Sequence, residues 1–231
     1  MSLKQTAGPY RAFRRRRRGT AAAAGFTLVE MAVVLVILGL LVGGLIMPMA
    51  MQVEKDKRRQ TETALNALRD ALIGYAIAHQ TLPCPDTDGD GQPDACATGS
   101  GNFSIGAPPW ALLGQESSDT WGGSYRYAVN GAYTDPGNPI SYSTAGTGSG
   151  RLLVHEGAGC TGNQRADNVA AVILSGAKTD YGNALEQENR DADRCFVGLD
   201  YSTVSGGEFD DLVSWVSPPV LLSRLAAAGR L

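Results

Sequence analysis

The sequence predicts an α+β protein in which a long N-terminal helix packs against a small antiparallel β-sheet head. Three observations lead there. Residues 31–51 carry no charged side chain over 21 positions. Beyond them Leu65, Leu68, Leu72, Tyr75, Ala76 and His79 recur at spacings of three and four, one apolar stripe on an otherwise polar helix. After Pro83 and Pro85, which end that helix, short apolar runs alternate with Gly-rich stretches, the pattern of strands joined by loops. Four segments follow: a basic leader (1–25), an apolar helix (26–51), its amphipathic continuation (52–82) and a loop-rich α+β head (83–231).

The leader holds Lys4, Arg11 and Arg14 to Arg18, seven basic groups, and no acidic one. That leaves 13 of the 20 basic residues for the rest of the chain, against 23 acidic ones. A basic start on an acidic body is a targeting pattern, and an acidic body repels phosphate backbones, so nucleic acid is not an expected partner.

A helix of 21 residues rises about 30 Å, the hydrocarbon thickness of a bilayer. The basic leader on its N-terminal side places that end in the cytoplasm and the head outside. An ordinary secretory signal would be cut after the apolar run, where residues 49–51 offer only a poor small-x-small site. The better junction lies before it, at Gly25. Glu30 is the anomaly, because a carboxylate near the start of a membrane helix costs a few kcal/mol unless it is paired (about 3 at the helix centre). Cleavage after Gly25 would create an ammonium on Phe26, one helical turn from Glu30. The same pairing between neighbouring subunits would set their axial register.

Gly25-Phe26-Thr27-Leu28-Val29-Glu30-Met31 resembles the processing and N-methylation motif of type IV prepilins and type II secretion pseudopilins. The resemblance implies a pilin-like fold, cleavage between Gly25 and Phe26 by a prepilin peptidase, and methylation of the Phe26 amine. It also implies assembly with other pilin or pseudopilin subunits through inner-membrane machinery. Pro48 stands where many pilins have a helix-kinking proline, and its missing N–H predicts a bend there.

In the head, residues 124–129 (SYRYAV), 152–155 (LLVH), 169–174 (VAAVIL) and 212–216 (LVSWV) read as strands. Pro218 and Pro219 break the last one, and residues 220–228 read as a short helix with Leu221, Leu222 and Leu225 inward. Residues 119–127 (DTWGGSYRY) are similar to the Asp-Pro-Trp-Gly-x-x-Tyr stretch of major pseudopilins, with Thr120 in place of Pro; Trp121 and Tyr125 there are expected in the core. Leu82-Pro83-Cys84-Pro85 and the 210–215 patch (DDLVSW) look like segments of a bacterial group of prepilin-type proteins of unassigned role.

All four cysteines, Cys84, Cys96, Cys160 and Cys195, follow the apolar segment. An even number in an exported head reads as disulfides; three pairings are open, and the sequence neighbours Cys84–Cys96 and Cys160–Cys195 are the expected ones. Between the first pair, Asp86, Asp88, Asp90, Gln92 and Asp94 alternate with Gly, a spacing that wraps a hard cation such as Ca²⁺. The bidentate Glu of an EF-hand loop is missing, and the pattern is closer to the Asp-rich loops of thrombospondin type 3 repeats. The competing expectation is a solvated Asp/Gly turn. A second acidic stretch, residues 180–193, lacks regular spacing and reads as a solvated surface loop.

Neither histidine has the company of a catalyst. His79 lies on the packing stripe and His155 at the end of a strand, with no nucleophile motif, zinc spacing or phosphate-cradling Gly motif. The expectation is therefore a structural subunit and not an enzyme: a pseudopilin or minor pilin held in the bacterial inner membrane before entering a filament. An anchored calcium-binding or adhesive ectodomain outside any filament is the alternative.

Overall fold

The structure, a computed structural model, describes residues 25–144 and 151–231; the side chains of residues 42–50 also lie outside the description. The chain divides into two compact units at Met49/Ala50. Helix α1 (Leu28–His79) runs through that boundary. The described part of the first unit is helix with its apolar side chains exposed, from Phe26 to Leu41. Among the described residues no helix is long and apolar enough to cross a membrane. The expected span of 26–51 includes residues 42–50, and with them Pro48 and its bend, which fall outside the described side chains.

The second unit is α+β. In chain order it contains the end of α1, β1 (Phe103–Gly106), α2 (Trp110–Leu113), β2 (Arg126–Asn130), a 3₁₀ turn (Gly131–Tyr133), β3 (Leu152–Gly157) and β4 (Thr161–Val169). Then follow β5 (Ala171–Ser175), α3 (Ala184–Glu188), β6 (Cys195–Val197), β7 (Leu212–Val216) and α4 (Pro218–Ala227). The strands form a four-stranded antiparallel sheet in the order β1-β2-β5-β7 and a three-stranded sheet in the order β4-β3-β6. The antiparallel head is thus present with an addition, since β3 pairs with β6 in parallel.

The layers follow from alternation along β2 and β5. Tyr127, Val129, Ala171 and Ile173 pack with Leu65, Leu68, Leu72 and Ala76 of α1 and with Leu221 and Leu225 of α4. Ala128, Val172 and Leu174 project to the opposite face and meet Leu152, Val154 and Phe196 of the second sheet. A strand covered on both faces must be apolar throughout, which is why residues 169–174 read as an unbroken apolar run.

Each expected strand is present, shifted by up to two residues, and 212–216 matches β7 at both ends. Pro218 and Pro219 open α4 at its first positions, where a missing N–H costs nothing. Leu221 and Leu225 are buried and Leu222 half-buried. Helix α1 stops where Gln80 turns left-handed, φ 58°. His79 departs from expectation: it lies one turn beyond the buried Ala76, is exposed, and stacks on Tyr75 at 4.1 Å between ring centroids.

Both sequence-neighbour disulfides form, Cys84–Cys96 and Cys160–Cys195, with Cα separations of 5.6 and 5.5 Å. The 180–193 stretch is not the solvated loop expected. Asn183 caps α3 by accepting from the N–H groups of Leu185 and Glu186, and Glu186 and Asn189 are fully buried.

Candidate processing and assembly site

The junction at Gly25 is built by a helix start. Residues 25–27 are not helical and α1 opens at Leu28. Thr27 is the residue before it, and its Oγ1 accepts the Glu30 N–H at 3.2 Å. The Glu30 carboxylate reaches back to the Thr27 N–H and hydroxyl, each at 3.4 Å. Two donors with no partner in the first helical turn are satisfied reciprocally, and a carboxylate sits at the positive end of the helix dipole. Thr27-Leu28-Val29-Glu30 is the Thr-x-x-Glu signature of this cap, legible in the sequence beside the charge of Glu30.

The segment is open to a processing enzyme. Phe26 is 75% exposed and Leu28 88% exposed. A side chain added at Gly25 would meet nothing within 4 Å. Gly25 and Phe26 precede α1, and Glu30 stands in its first turn, held by Thr27.

Elsewhere the expected residues divide. Asp86, Asp88 and Asp90 bring carboxylate oxygens within 4.8 Å of one another. The buried Asp86 is heavily engaged, accepting from Gly89 N–H at 2.6 Å and Gly91 N–H at 2.8 Å. Asp90 accepts from the Gln92 N–H at 2.7 Å. Asp94 turns the other way: its carboxylate accepts from the Thr87 N–H and hydroxyl at 2.7 and 2.5 Å, and these bonds hold it below the usual carboxylate range. At Gly91, φ 83°, any Cβ would stand 2.7 Å from Trp110 and Ala111, so the turn seats directly on α2.

The 119–127 stretch is a structural joint. Asp119 is buried, and its Oδ1 accepts the N–H groups of Trp121 and Gly123 while Oδ2 accepts the Ser175 hydroxyl of β5. Thr120, standing where the pseudopilin pattern has Pro, uses its hydroxyl to bond the Thr61 hydroxyl and the Lys57 carbonyl of α1. Tyr125 is in the core as expected, and Trp121 packs half-buried against it.

Comparison with known families places a prepilin-type signal on this chain. The model of the prokaryotic N-terminal methylation motif covers residues 21–46. This is the prepilin-type cleavage and methylation signal of pilins and pseudopilins, and it supports a type IV pilin-like protein processed by a prepilin peptidase. No curated protein and no solved structure matches the chain.

Proposed function

We propose that this chain is a pseudopilin or minor pilin, a structural subunit whose activity is assembly. A prepilin peptidase cuts between Gly25 and Phe26, and the new Phe26 amine is methylated. The N-terminal helix holds the subunit in the bacterial inner membrane, N-terminus cytoplasmic and head periplasmic, until it moves into a type II secretion pseudopilus or type IV pilus. The observation that carries this reading is the methylation motif at 21–46, whose Gly25–Glu30 stretch is exposed at the open end of a 52-residue helix. After cleavage, Glu30 trades its local contact with Thr27 for the ammonium of a neighbouring subunit's Phe26, which attracts it more strongly once both are out of water.

Mass analysis of the mature N-terminus in cells with an active prepilin peptidase tests the reading. A chain beginning at N-methylated Phe26 supports it. Retention of residues 1–25 overturns it in favour of an anchored ectodomain.

A second reading concerns the loop closed by Cys84–Cys96. We propose that Asp86, Asp88 and Asp90, with Gln92 contributing a carbonyl, take up Ca²⁺; the clustering of the three carboxylates favours this. Asp94, whose Oδ2 is bonded to Thr87, offers its other oxygen as a further ligand. Calorimetric titration with CaCl₂ at millimolar concentration is the check, with no heat of binding in the wild-type chain counting against the idea.

A further inference from the structure

The 176–211 excursion between β5 and β7 gathers three carboxylates in the interior. Glu186 comes from α3, and Asp210 and Asp211 come from the segment leading into β7. All three residues are at most 3% exposed, and they bring carboxylate oxygens within 4.8 Å of one another.

Their hydrogen bonds are nearly complete. Glu186 accepts from the N–H groups of Asp210 and Tyr181, at 3.2 and 2.8 Å. Asp210 Oδ2 accepts from the Thr179 N–H and Asp211 Oδ2 from the Asn189 side-chain amide, both at 2.9 Å. Two atoms are left over. Oδ1 of Asp210 and Oδ1 of Asp211 are buried with no partner among the described residues.

The charge is only partly compensated, by Arg190 near Glu186 and Asp211 and by Arg58 near Asp210. Arg190 stands 4.0 Å from Glu186, but its other terminal nitrogen is paired with Asp180. Arg58 of α1 lends Asp210 only a longer-range attraction. Removing three carboxylates from water with so little opposite charge is unfavourable for the ionised forms. Burial accordingly pushes Asp211 up to about 7 and raises Asp210 as well.

We propose that Glu186, Asp210 and Asp211 hold a hard divalent cation, Ca²⁺, at a site separate from the Asp86 loop. An all-oxygen donor set selects hard ions, and Ca²⁺ tolerates irregular coordination at about 2.3–2.6 Å. Oxygens within 4.8 Å of one another fit a sphere of that radius. Mg²⁺ keeps several waters, for which so dry a cluster has little room. The cation gives both unpartnered Oδ1 atoms a ligand and offsets the excess negative charge. Asp211 also lines an open groove of about 610 Å³ beside α1 and β7. The bound ion would cross-link α3 to the start of β7 and so close the 176–211 excursion against the sheet.

The test is thermal unfolding of the full chain in detergent micelles at pH 7.5, after EDTA treatment and then with 1 mM CaCl₂. The expected result is a rise in Tm of about 5 °C or more on adding CaCl₂. In an Asp88→Asn/Asp90→Asn background, which removes the other candidate site, the rise remains, and it is lost on adding Asp211→Asn or Glu186→Gln. Because Asp211→Asn removes a buried charge, its Tm in EDTA should equal or exceed that of the wild type, which separates loss of the ion from failure to fold. The proposal is overturned by an unchanged wild-type Tm, by a rise that survives Asp211→Asn in the Asp88→Asn/Asp90→Asn background, or by stabilisation on acidification with no response to CaCl₂. The last outcome would give the cluster to a proton.

Discussion

The Ser175 hydroxyl donates to Asp119 Oδ2 at 2.5 Å, joining the end of β5 to a turn 56 residues earlier in the chain. The same carboxylate receives two backbone N–H groups through Oδ1, so one buried side chain fixes both the turn and its seat on the sheet. Asp119→Ala strands all three donors. It should lower stability by about 3 kcal/mol in urea unfolding, and Ser175→Ala by about 2, since the bond to Asp119 and the acceptor of the Ala177 N–H are then lost.

The reciprocal cap between Thr27 and Glu30 separates two roles that Glu30 could play. Glu30→Gln keeps a side chain able to cap the helix but removes the charge. It should be cut normally and then be missing from sheared filaments on immunoblots. Thr27→Ala, which loses the cap and keeps the charge, should be cut and incorporated. Equal incorporation of both variants would remove the charge-pairing role.

Asp94 gives a titration test of the Asp-rich loop. Its folded-state value lies below 3.8 because Thr87 donates to the carboxylate twice. A depressed carboxylate favours the fold above its unfolded value, and that contribution is lost as pH falls through the lower folded value. In Thr87→Val the hydroxyl bond goes and the N–H bond stays. The Asp94 carbonyl resonance should then titrate at higher pH than in the wild type.

The two disulfides close loops of different length, with sequence separations of 12 for Cys84–Cys96 and 35 for Cys160–Cys195. In the chain-entropy model the longer loop is worth about 1 kcal/mol more. Paired Cys→Ser replacement at 160 and 195 should therefore lower the urea midpoint further than replacement at 84 and 96.

What was legible in the sequence was whatever has a period or a fixed motif. The stripe of α1, the apolar run of β5 and the Pro-Pro start of α4 all declare themselves, as does the Gly25–Glu30 junction. Strand β4 could not be read, because TGNQRADNV is exposed along most of its length and carries no apolar alternation. It is a strand because it pairs with β3, a relation that local sequence does not encode. Strand β6 is only three residues long and is placed by its parallel pairing with β3. The 180–193 stretch misled through its charge. Five acidic side chains suggest solvent, yet Glu186 goes inside because backbone N–H groups of Tyr181 and Asp210 await it.

The strand order β1-β2-β5-β7 has a consequence for how the head is made. The main sheet is assembled from neighbours in space that two detours separate in sequence, one through β3 and β4 and one through α3 and β6. Partners so far apart along the chain must find each other before they gain anything from pairing, which makes folding slow and leaves edges open meanwhile. Cys160 lies in the first detour and Cys195 in the second. Once oxidised, that bridge shortens the search by tying the two detours together before the central sheet closes, so the redox state of the compartment becomes a timer on maturation as well as a contributor to final stability.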